Sequence, residues 1–351
     1  MFVPYSKALK AEIERYLPEP RLINSIFFGG GTPSYLPVNI LTDLLGFIKE
    51  GFRIKPDAEI TIEVNPGTID HAELALLKSA GFNRLSIGLQ ARQDRLLKSI
   101  GRIHTWDDFS EIYQAGRATG FSNLGVDLIF GLPGQTLQEW GETLRSVVSL
   151  QPEHISTYCL QLEKGTVLAK DVERGLVQLP SEDEVVAMMG LAMDYLPKKG
   201  YQHYEISNYA KPGFRSFHNL GYWRGNDYLG FGAGAYSTYN DKRWTNIEEP
   251  EDYIKAVVEG NSAVESCEML DQKTKAVERL MLGLRLQEGV DLIKYKAEFG
   301  FDLKKTAEPY LTNFSKQNLL KLNGSQLTLT DAGIMVSNTV ISSLLNGVER
   351  G

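Results

Sequence analysis

The amino-acid sequence predicts an α/β fold in which short parallel strands alternate with helices. A full or partial (β/α) barrel is the leading architecture, and a doubly wound open sheet is the alternative. Apolar, β-branched segments, helix start signals between them, and start-to-start spacings of 25 to 39 residues predict this fold, because one βα unit has that length. The predicted strands begin near Ser25, Glu59, Arg84, Asn123 and His154.

A basic residue, a glycine and an aromatic residue precede several of the apolar segments. This order is typical of a helix end followed by a strand, because glycine adopts the left-handed conformation that closes a helix and a cation suits the helix C-terminus. We expect such helix ends at Gly51, Gly81, Gly120 and Gly200.

The helices that follow the strands have recognisable first turns. Capping-box spacing, in which a capping residue is followed three positions later by Glu, occurs at residues 70–73, 136–139 and 181–184. After the second of these, helical spacing predicts a core-facing stripe formed by Leu137, Trp140, Leu144 and Val148.

The segment "SIFFGGGTPSYL", residues 25–36, places three glycines directly after a predicted strand. Neither a strand nor a helix needs such a run, so it indicates that another group approaches the backbone closely. The other predicted strands also end in polar or glycine-rich residues, and the carboxyl ends of parallel strands meet at one rim where ligands bind. The rim segments are 29–32, 63–67, 88–90, 127–136 and 158–161.

Each rim residue also has a purely structural interpretation. Asp127 could cap a loop, Glu63 could pair with Arg84, and Gln90 could bind backbone. Because these polar residues recur at equivalent positions of successive strands, the set as a whole predicts a ligand site.

The composition excludes several classes of protein. The chain of 351 residues is 42% apolar and 23% charged with a net charge of −7, so neither nucleic acid nor an anionic membrane is expected as its main partner. Its first twenty residues resemble neither a secretion signal nor a transit peptide, and we expect a cytoplasmic protein with at most peripheral membrane association. The two cysteines, Cys159 and Cys267, do not suggest a disulfide framework or a thiolate metal site.

The character of the sequence changes near Asn240. Amphipathic helices are followed by a short hairpin turned at Asn323-Gly324 and a final helix, an arrangement that resembles a winged-helix module. The segment lacks a basic recognition face, which argues against DNA binding. We therefore expect a (β/α) domain over residues 1–239 and a helical, winged-helix-like domain over residues 240–351.

Seven motifs, taken in order, resemble the oxygen-independent coproporphyrinogen III oxidase-like radical SAM family. Within that family, the resemblance is closest to the heme-chaperone branch and runs from about Tyr5 to the end of the chain. The motifs are "FFGGGTPSYL", "EITIEVNPGT", "RLSIGLQ", "GRIH", "GVDLIFGLPGQT", "HYEISNYAKPG" and "HNLGYWRGNDYLGFGAGAYS".

The resemblance implies a partial (β/α)6 barrel that holds S-adenosylmethionine across the carboxyl ends of its strands. It also assigns eight residues to the binding site of that ligand. Gly30, Gly31 and Thr32 contact its methionyl part, Glu63 and Gln90 contact its polar groups, Arg102 and Asp127 complete the site, and Cys159 contacts the adenine through its backbone.

The sequence departs from the family in one respect. Radical SAM enzymes carry a CxxxCxxC loop after the first barrel strand, whose thiolates hold a [4Fe-4S] cluster, and no cysteine precedes Cys159 here. We expect a barrel without its first strand and cluster ligands, an unpaired edge on the strand at residues 25–28, a weakened S-adenosylmethionine site and no radical catalysis from this chain. A late start or a shortened chain is the favoured explanation, and a real protein that has lost the cluster is the alternative.

The resemblance further implies a heme-binding protein that transfers heme to apo-hemoproteins, with respiratory-chain proteins among the candidates. In "HNLGYW", the His218 imidazole could ligate heme iron while Tyr222 and Trp223 pack on the macrocycle; alternatively, His218 only binds backbone. His71, His104 and His154 are expected to be local caps or surface residues. The alternative functions are an N-terminally truncated oxygen-independent coproporphyrinogen III oxidase and an inert remnant.

Overall fold

The computed structural model describes residues 2–17 and 21–349. The first two thirds of the chain alternate between strands and helices, as the sequence predicts. The elements are α1 (Phe2–Glu14), β1 (Ile23–Phe28), α2 (Val38–Gly51), β2 (Ile54–Val64), α3 (His71–Ala80), β3 (Arg84–Gln90), α4 (Asp94–Ser99), α5 (Trp106–Ala118), β4 (Leu124–Phe130), α6 (Leu137–Ser149), β5 (His154–Cys159), α7 (Val167–Glu173), α8 (Glu182–Lys198), β6 (Gln202–Glu205) and β7 (Asn208–Ala210).

A seven-stranded sheet has the order β1-β2-β3-β4-β5-β7-β6. Strands β2 to β5 pair in parallel, each with the next along the chain, so their carboxyl ends share one rim. The sheet ends in an antiparallel hairpin, since β7 pairs antiparallel with both β5 and β6. The predicted parallel α/β fold is confirmed, and β1 lies at one edge of the sheet as expected.

The third part of the chain forms two small antiparallel sheets and eight helices among the described residues. One sheet has the order β10-β9-β8 and the other β11-β13-β12. The elements are α9 (Phe217–Trp223), β8 (Tyr236–Tyr239), β9 (Lys242–Asn246), α10 (Pro250–Val258), β10 (Val264–Met269), α11 (Gln272–Gly283), β11 (Val290–Asp291), α12 (Leu292–Phe299), α13 (Leu303–Thr306), α14 (Glu308–Lys316), β12 (Leu320–Asn323), β13 (Gln326–Leu329), α15 (Asp331–Met335) and α16 (Ser337–Glu349). The hairpin predicted at Asn323-Gly324 is confirmed by β12 and β13.

The chain divides into two compact units. The first unit comprises residues 1–26, 36–59 and 216–351, and the second comprises residues 27–35 and 60–215. The predicted division into domains at residue 239 stays a prediction. Within the described residues, no helix is both long enough and apolar enough to span a membrane.

The predicted helix starts are confirmed at α3, α6 and α8. Each begins with a complete capping box, in which the side chain before the helix binds the third residue's N–H and that residue's carboxylate binds back. On α6, Trp140 and Leu144 are buried as predicted, whereas Leu137 is exposed and Val148 only partly buried; Val147 takes the core position instead.

Three of the four predicted helix-ending glycines have the expected left-handed backbone, with φ of 107° at Gly81, 90° at Gly120 and 88° at Gly200. The prediction for Gly51 is wrong, because this glycine is the last residue of α2 and an extended Phe52 follows. A β-carbon on Gly51 would lie 2.6 Å from a methyl carbon of Leu17, so the glycine makes room for that side chain.

The first unit contains a buried carboxylate on α1. Glu12 accepts hydrogen bonds from the Gly232 N–H at 2.9 Å, the Asn246 amide at 2.6 Å and the Tyr253 hydroxyl at 2.7 Å. Burial raises the pKa of Glu12, while these donors favour its charged form. The carboxylate therefore fixes α1 against α10 and the segment at residues 232–246.

Candidate functional site

The glycine run at residues 29–31 begins directly after β1, and the Glu63 side chain from β2 explains part of it. A β-carbon on Gly29 would collide with the Phe27 ring and would lie 3.0 Å from the Glu63 carboxyl carbon. Gly30 has a left-handed φ of 81°, and its N–H donates a hydrogen bond to Glu63. Gly31 faces open space, with no atom within 4 Å of a β-carbon placed there.

The environment of Glu63 disfavours its charged form. Burial and then the negative charge of Asp127 raise the pKa of Glu63 to about 7, against an ordinary value of 4.5, while the Gly30 N–H and Arg84 act in the opposite direction. A carboxyl group that changes charge near neutral pH at the rim of a parallel sheet is characteristic of a functional site.

Asn65, just beyond the end of β2, links several predicted site residues. Its amide nitrogen donates to the Thr32 hydroxyl at 3.0 Å, and its amide oxygen accepts from the Arg102 guanidinium at 3.4 Å. A β-carbon on Gly88 would lie 2.9 Å from both the Asn65 and the Gln90 side chains, so the two amides converge over that glycine. Asn65 was not singled out from the sequence as a site residue.

Gln90 ends β3 with an unusual backbone. Its φ is 70°, a left-handed value that costs a non-glycine residue about 1 to 2 kcal/mol, and the register with β4 shifts between Gly88 and Gln90. The side chain is 7% exposed. Strain of this kind, at a buried amide on a strand's carboxyl end, is typical of positions where a side chain must be aimed at a ligand.

Asp127 lies on β4 between two serine hydroxyls. It accepts hydrogen bonds from Ser86 at 2.9 Å and from Ser156 at 2.6 Å, one on each neighbouring strand. Burial raises the pKa of Asp127, whereas the two hydroxyls and the charge of Arg84 favour its ionised form. A β-carbon on Gly125 would lie 3.0 Å from the Arg84 guanidinium, so this glycine provides the space that the guanidinium occupies.

Strands β2, β3 and β5 carry further buried polar groups. Thr61 Oγ1, Arg84 Nε and His154 Nδ1 are buried without a hydrogen-bond partner in the described structure, and Nε2 of His154 lies 2.8 Å from the Tyr204 hydroxyl. Burial lowers the pKa of His154 well below its ordinary value, so this histidine is neutral. The expectation that His154 is a cap or surface residue is wrong.

His71 and His104 are the other two histidines that we expected to be caps or surface residues. His71 is exposed at the first position of α3. His104 is buried and lies 3.2 Å from the Leu89 carbonyl oxygen, so its assignment to the surface is wrong. Burial lowers its pKa. Both buried histidines were misjudged because an imidazole pairs with groups that lie far away in sequence.

The cysteines do not provide a cluster site. Cys159 ends β5 and Cys267 lies on β10, and both are exposed and unpaired. Within the described residues, no group of three or more histidine, cysteine, aspartate or glutamate side chains is placed to hold a metal ion. A [4Fe-4S] cluster requires thiolates, and the two cysteines of this sequence do not fit one.

Helix α9, in the first unit, consists of "FHNLGYW" and carries the other predicted site residues. Ser216 caps it by accepting from the Asn219 N–H at 3.4 Å. Glu59, which is 6% exposed, accepts from the Ser216 hydroxyl at 3.0 Å, the Phe217 N–H at 3.1 Å and the His218 N–H at 3.2 Å. A buried carboxylate of β2 therefore holds the first turn of α9.

The aromatic residues of α9 point to different neighbours. The His218 and Tyr222 rings meet edge to face with centroids 4.7 Å apart, and Tyr222 meets Tyr228 in the same way at 4.6 Å. Trp223 lies 5.9 Å from the guanidinium of Arg285. The structure thus brings His218 and Tyr222 together, whereas Trp223 faces a cation of the segment after α11.

Comparison with known proteins identifies the family. The sequence matches the Radical SAM superfamily over residues 6–147 and the HemN C-terminal domain over residues 270–336. It is 35% identical to the heme chaperone HemW of Lactococcus lactis subsp. lactis (strain IL1403) over 341 residues, which cover 97% of this chain and 89% of that protein. The chain belongs to the HemW family. The HemW proteins of Bacillus subtilis (strain 168), at 34%, and Escherichia coli (strain K12), at 32%, cover 92% and 93% of this chain and 86% and 85% of their own lengths.

A solved structure shows the same fold as this HemW family member. Coproporphyrinogen III oxidase (HemN) from Escherichia coli, a radical SAM enzyme, superposes with a TM-score of 0.83 at 24% identity, over 97% of this chain and 82% of that one. The predicted resemblance and fold class are confirmed. Family membership implies S-adenosylmethionine, a [4Fe-4S] cluster and heme as the family's ligands, and heme and apo-hemoproteins as its general partners.

Seven of the predicted S-adenosylmethionine residues fall into two groups of the second unit, which the turn at residues 30–32 connects along the chain. A hydrogen bond and a charge interaction join Gly30, Glu63 and Asp127, whereas Asn65 joins Thr32 to Arg102 and lies with Gln90 over Gly88. Cys159 follows on the neighbouring strand β5, and its Sγ would lie 4.0 Å from a β-carbon on Gly131. Their role as ligands to a cofactor stays a prediction.

Proposed function

We propose that this chain binds heme and delivers it to apo-hemoproteins. Membership of the HemW family supports this proposal, together with the placement of His218 on a short helix whose first turn is anchored by Glu59. An imidazole is an ordinary axial ligand of heme iron, and a partly exposed one allows the heme to arrive and leave.

Tyr222 supports the same proposal through its position and charge state. Its ring meets the edge of the His218 ring, and burial raises the pKa of Tyr222 to about 12, so the phenol is neutral at physiological pH. Tyr222 is 40% exposed and Phe217 is 60% exposed, which leaves apolar surface beside the imidazole for a flat macrocycle. Trp223, under the Arg285 guanidinium, would complete the apolar border.

We further propose that the rim of the second unit binds S-adenosylmethionine through the eight residues assigned above. The carboxyl, amide and guanidinium groups of Glu63, Gln90 and Arg102 fit the polar parts of that ligand, and the open space at Gly31 admits it. The affinity is weakened, because the family's cluster thiolates, which would hold the ligand through iron, are not among the residues of this sequence.

The recipients of the heme include apo-proteins of the respiratory chain in this proposal. Transfer takes place in the cytoplasm, with at most peripheral attachment to a membrane and without nucleic acid. The likeness to coproporphyrinogen III oxidase shows the fold alone, so no oxidase activity is proposed.

Hemin titration of the full chain tests the heme proposal. The Soret band of the wild-type protein is expected to saturate at one heme per chain, and the His218→Ala variant is expected to bind at least tenfold more weakly with a shifted band. The matched control is His71→Ala, which removes an exposed histidine of α3 and is expected to behave as wild type. Identical spectra for wild type and His218→Ala would remove His218 from the function.

A further inference from the structure

The carboxylate at the start of α9 differs from those at the starts of α3, α5, α6 and α8. In those four helices, the carboxylate of the helix's own third residue binds back to the N–H of the capping residue. Glu59, in contrast, reaches the first turn of α9 from a strand 157 residues earlier, in addition to the local cap Ser216. The first turn of this helix is therefore positioned by a distant part of the fold.

The contact is buried and specific. Glu59 is 6% exposed and Ser216 is fully buried, so the carboxylate has given up hydration for these donors. Its two oxygens accept from three consecutive residues, Ser216, Phe217 and His218, at 3.0 to 3.2 Å. Hydrogen bonds to a charged acceptor are stronger than neutral ones, which makes this a firm anchor.

The anchor acts on the backbone of the histidine itself. The His218 N–H is one of the three donors, so a displacement of the Glu59 carboxylate moves the Cα atom from which the imidazole extends. Helix α9 has seven residues, too few to define its own position in water, and tertiary contacts must decide where it lies. Metal ligands require support that fixes them within about half an ångström.

We infer that Glu59 is a positioning residue for the heme ligand His218, which rests on the heme-binding function proposed above. Glu59 does not itself contact the heme. It fixes the place and direction of the His218 backbone, so that the imidazole meets the iron without a prior rearrangement of the helix. Tyr222 then limits the rotation of the imidazole from the next turn.

The test replaces the carboxylate by a group of equal size. Glu59→Gln keeps the volume but turns one acceptor into a donor that faces the N–H groups of α9. Hemin affinity is expected to fall about tenfold, and the ferric Soret and charge-transfer bands are expected to show a changed spin state. Glu59→Asp retains the charge and is expected to recover part of the affinity and the wild-type spectrum.

A second buried carboxylate provides the matched control. Glu153, 8% exposed, binds Arg117 at 2.7 Å and Lys211 at 3.6 Å, and Glu153→Gln is expected to lower the melting temperature without altering hemin affinity or spectrum. All titrations are made on the full chain, at least 15 °C below the melting temperature of each variant.

The outcomes separate this inference from the function on which it rests. If His218→Ala loses hemin while Glu59→Gln retains the wild-type affinity and spectrum, the positioning role of Glu59 is refuted and heme binding stands. If Glu59→Gln and Glu153→Gln change the spectrum equally, the effect is general destabilisation and the inference is again refuted. If wild type and His218→Ala have the same spectrum, the ligand assignment fails and the inference with it.

Discussion

Replacing Glu63 by glutamine is expected to stabilise the protein at and above neutral pH. Glutamine keeps the size of the side chain and the oxygen that accepts from the Gly30 N–H. It removes a charge that burial and Asp127 disfavour. Glu63 is thus expected to lower the free energy of unfolding at and above neutral pH, as residues that serve ligand binding commonly do.

The magnitude follows from the displaced pKa. The pKa of Glu63 rises from its ordinary value of 4.5 to about 7 in the folded chain, so the folded state holds a proton that the unfolded state has lost over this interval. The contribution of Glu63 to stability is therefore fully present below pH 4.5 and lost as the pH rises through 7. The difference amounts to about 3 kcal/mol.

Urea unfolding at several pH values between 4.5 and 8.5 measures this difference. The free energy of unfolding of Glu63→Gln is expected to match that of wild type at the acid end and to exceed it by about 3 kcal/mol at pH 8. Glu111→Gln, which alters an exposed carboxylate on α5, serves as the control and should follow wild type throughout. A constant gap at every pH, or a variant that is less stable at pH 8, would refute the reasoning.

Three further substitutions probe the structure. Gly29→Ala is expected to cost about 1 to 3 kcal/mol of unfolding free energy by thermal melting, because its methyl group would press on the Phe27 ring; an unchanged melting temperature would contradict the tight packing there. Asn65→Ala is expected to weaken S-adenosylmethionine binding about tenfold in equilibrium dialysis, and unchanged affinity with lowered stability would make Asn65 purely structural. Glu12→Ala is expected to lower the free energy of unfolding in urea by about 3 to 5 kcal/mol, because buried donors such as the Tyr253 hydroxyl lose their acceptor. A decrease of less than about 1 kcal/mol would disprove this.

Much of the fold follows from local features of the sequence. Capping boxes at the starts of α3, α6 and α8 and left-handed glycines at 81, 120 and 200 depend on contacts within a few residues, and they were predicted correctly. Gly51 was predicted wrongly because its role depends on Leu17, 34 residues away in sequence.

The antiparallel elements were harder to predict. Short apolar strands read alike in parallel and antiparallel sheets, so the reversal at β6 and β7 was not expected. The hairpin of β8 and β9 was also missed, although the Asn-Asp pair in its turn is a usable sequence signal. Asn240 and Asp241 both have positive φ, of 51° and 62°, and these residue types tolerate that conformation in two-residue hairpin turns.

The sequence predicted which residues lie at the candidate site but not the hydrogen bonds between their side chains. The position of Glu63 at the carboxyl end of a predicted strand identified it, whereas Glu59 could not be linked to the residues before His218, since their contact spans 157 positions. Asn65 carried only the signal of a polar residue before proline at a strand end. Side-chain networks of this kind depend on the folded geometry and leave no regular pattern in one sequence.

The Arg84 guanidinium, lying over Gly125 and attracted by Asp127, restricts how this lineage can change. Losing the cation alone would leave the buried aspartate with its two serine donors only, losing the aspartate alone would deprive the buried guanidinium of that negative charge, and a side chain at position 125 would place its β-carbon 3.0 Å from the guanidinium. Replacing these three residues by apolar ones, one at a time, is therefore expected to pass through less stable proteins. Evolutionary replacement must proceed by coordinated substitution, so descendants that abandon the rim ligand should still inherit this trio intact.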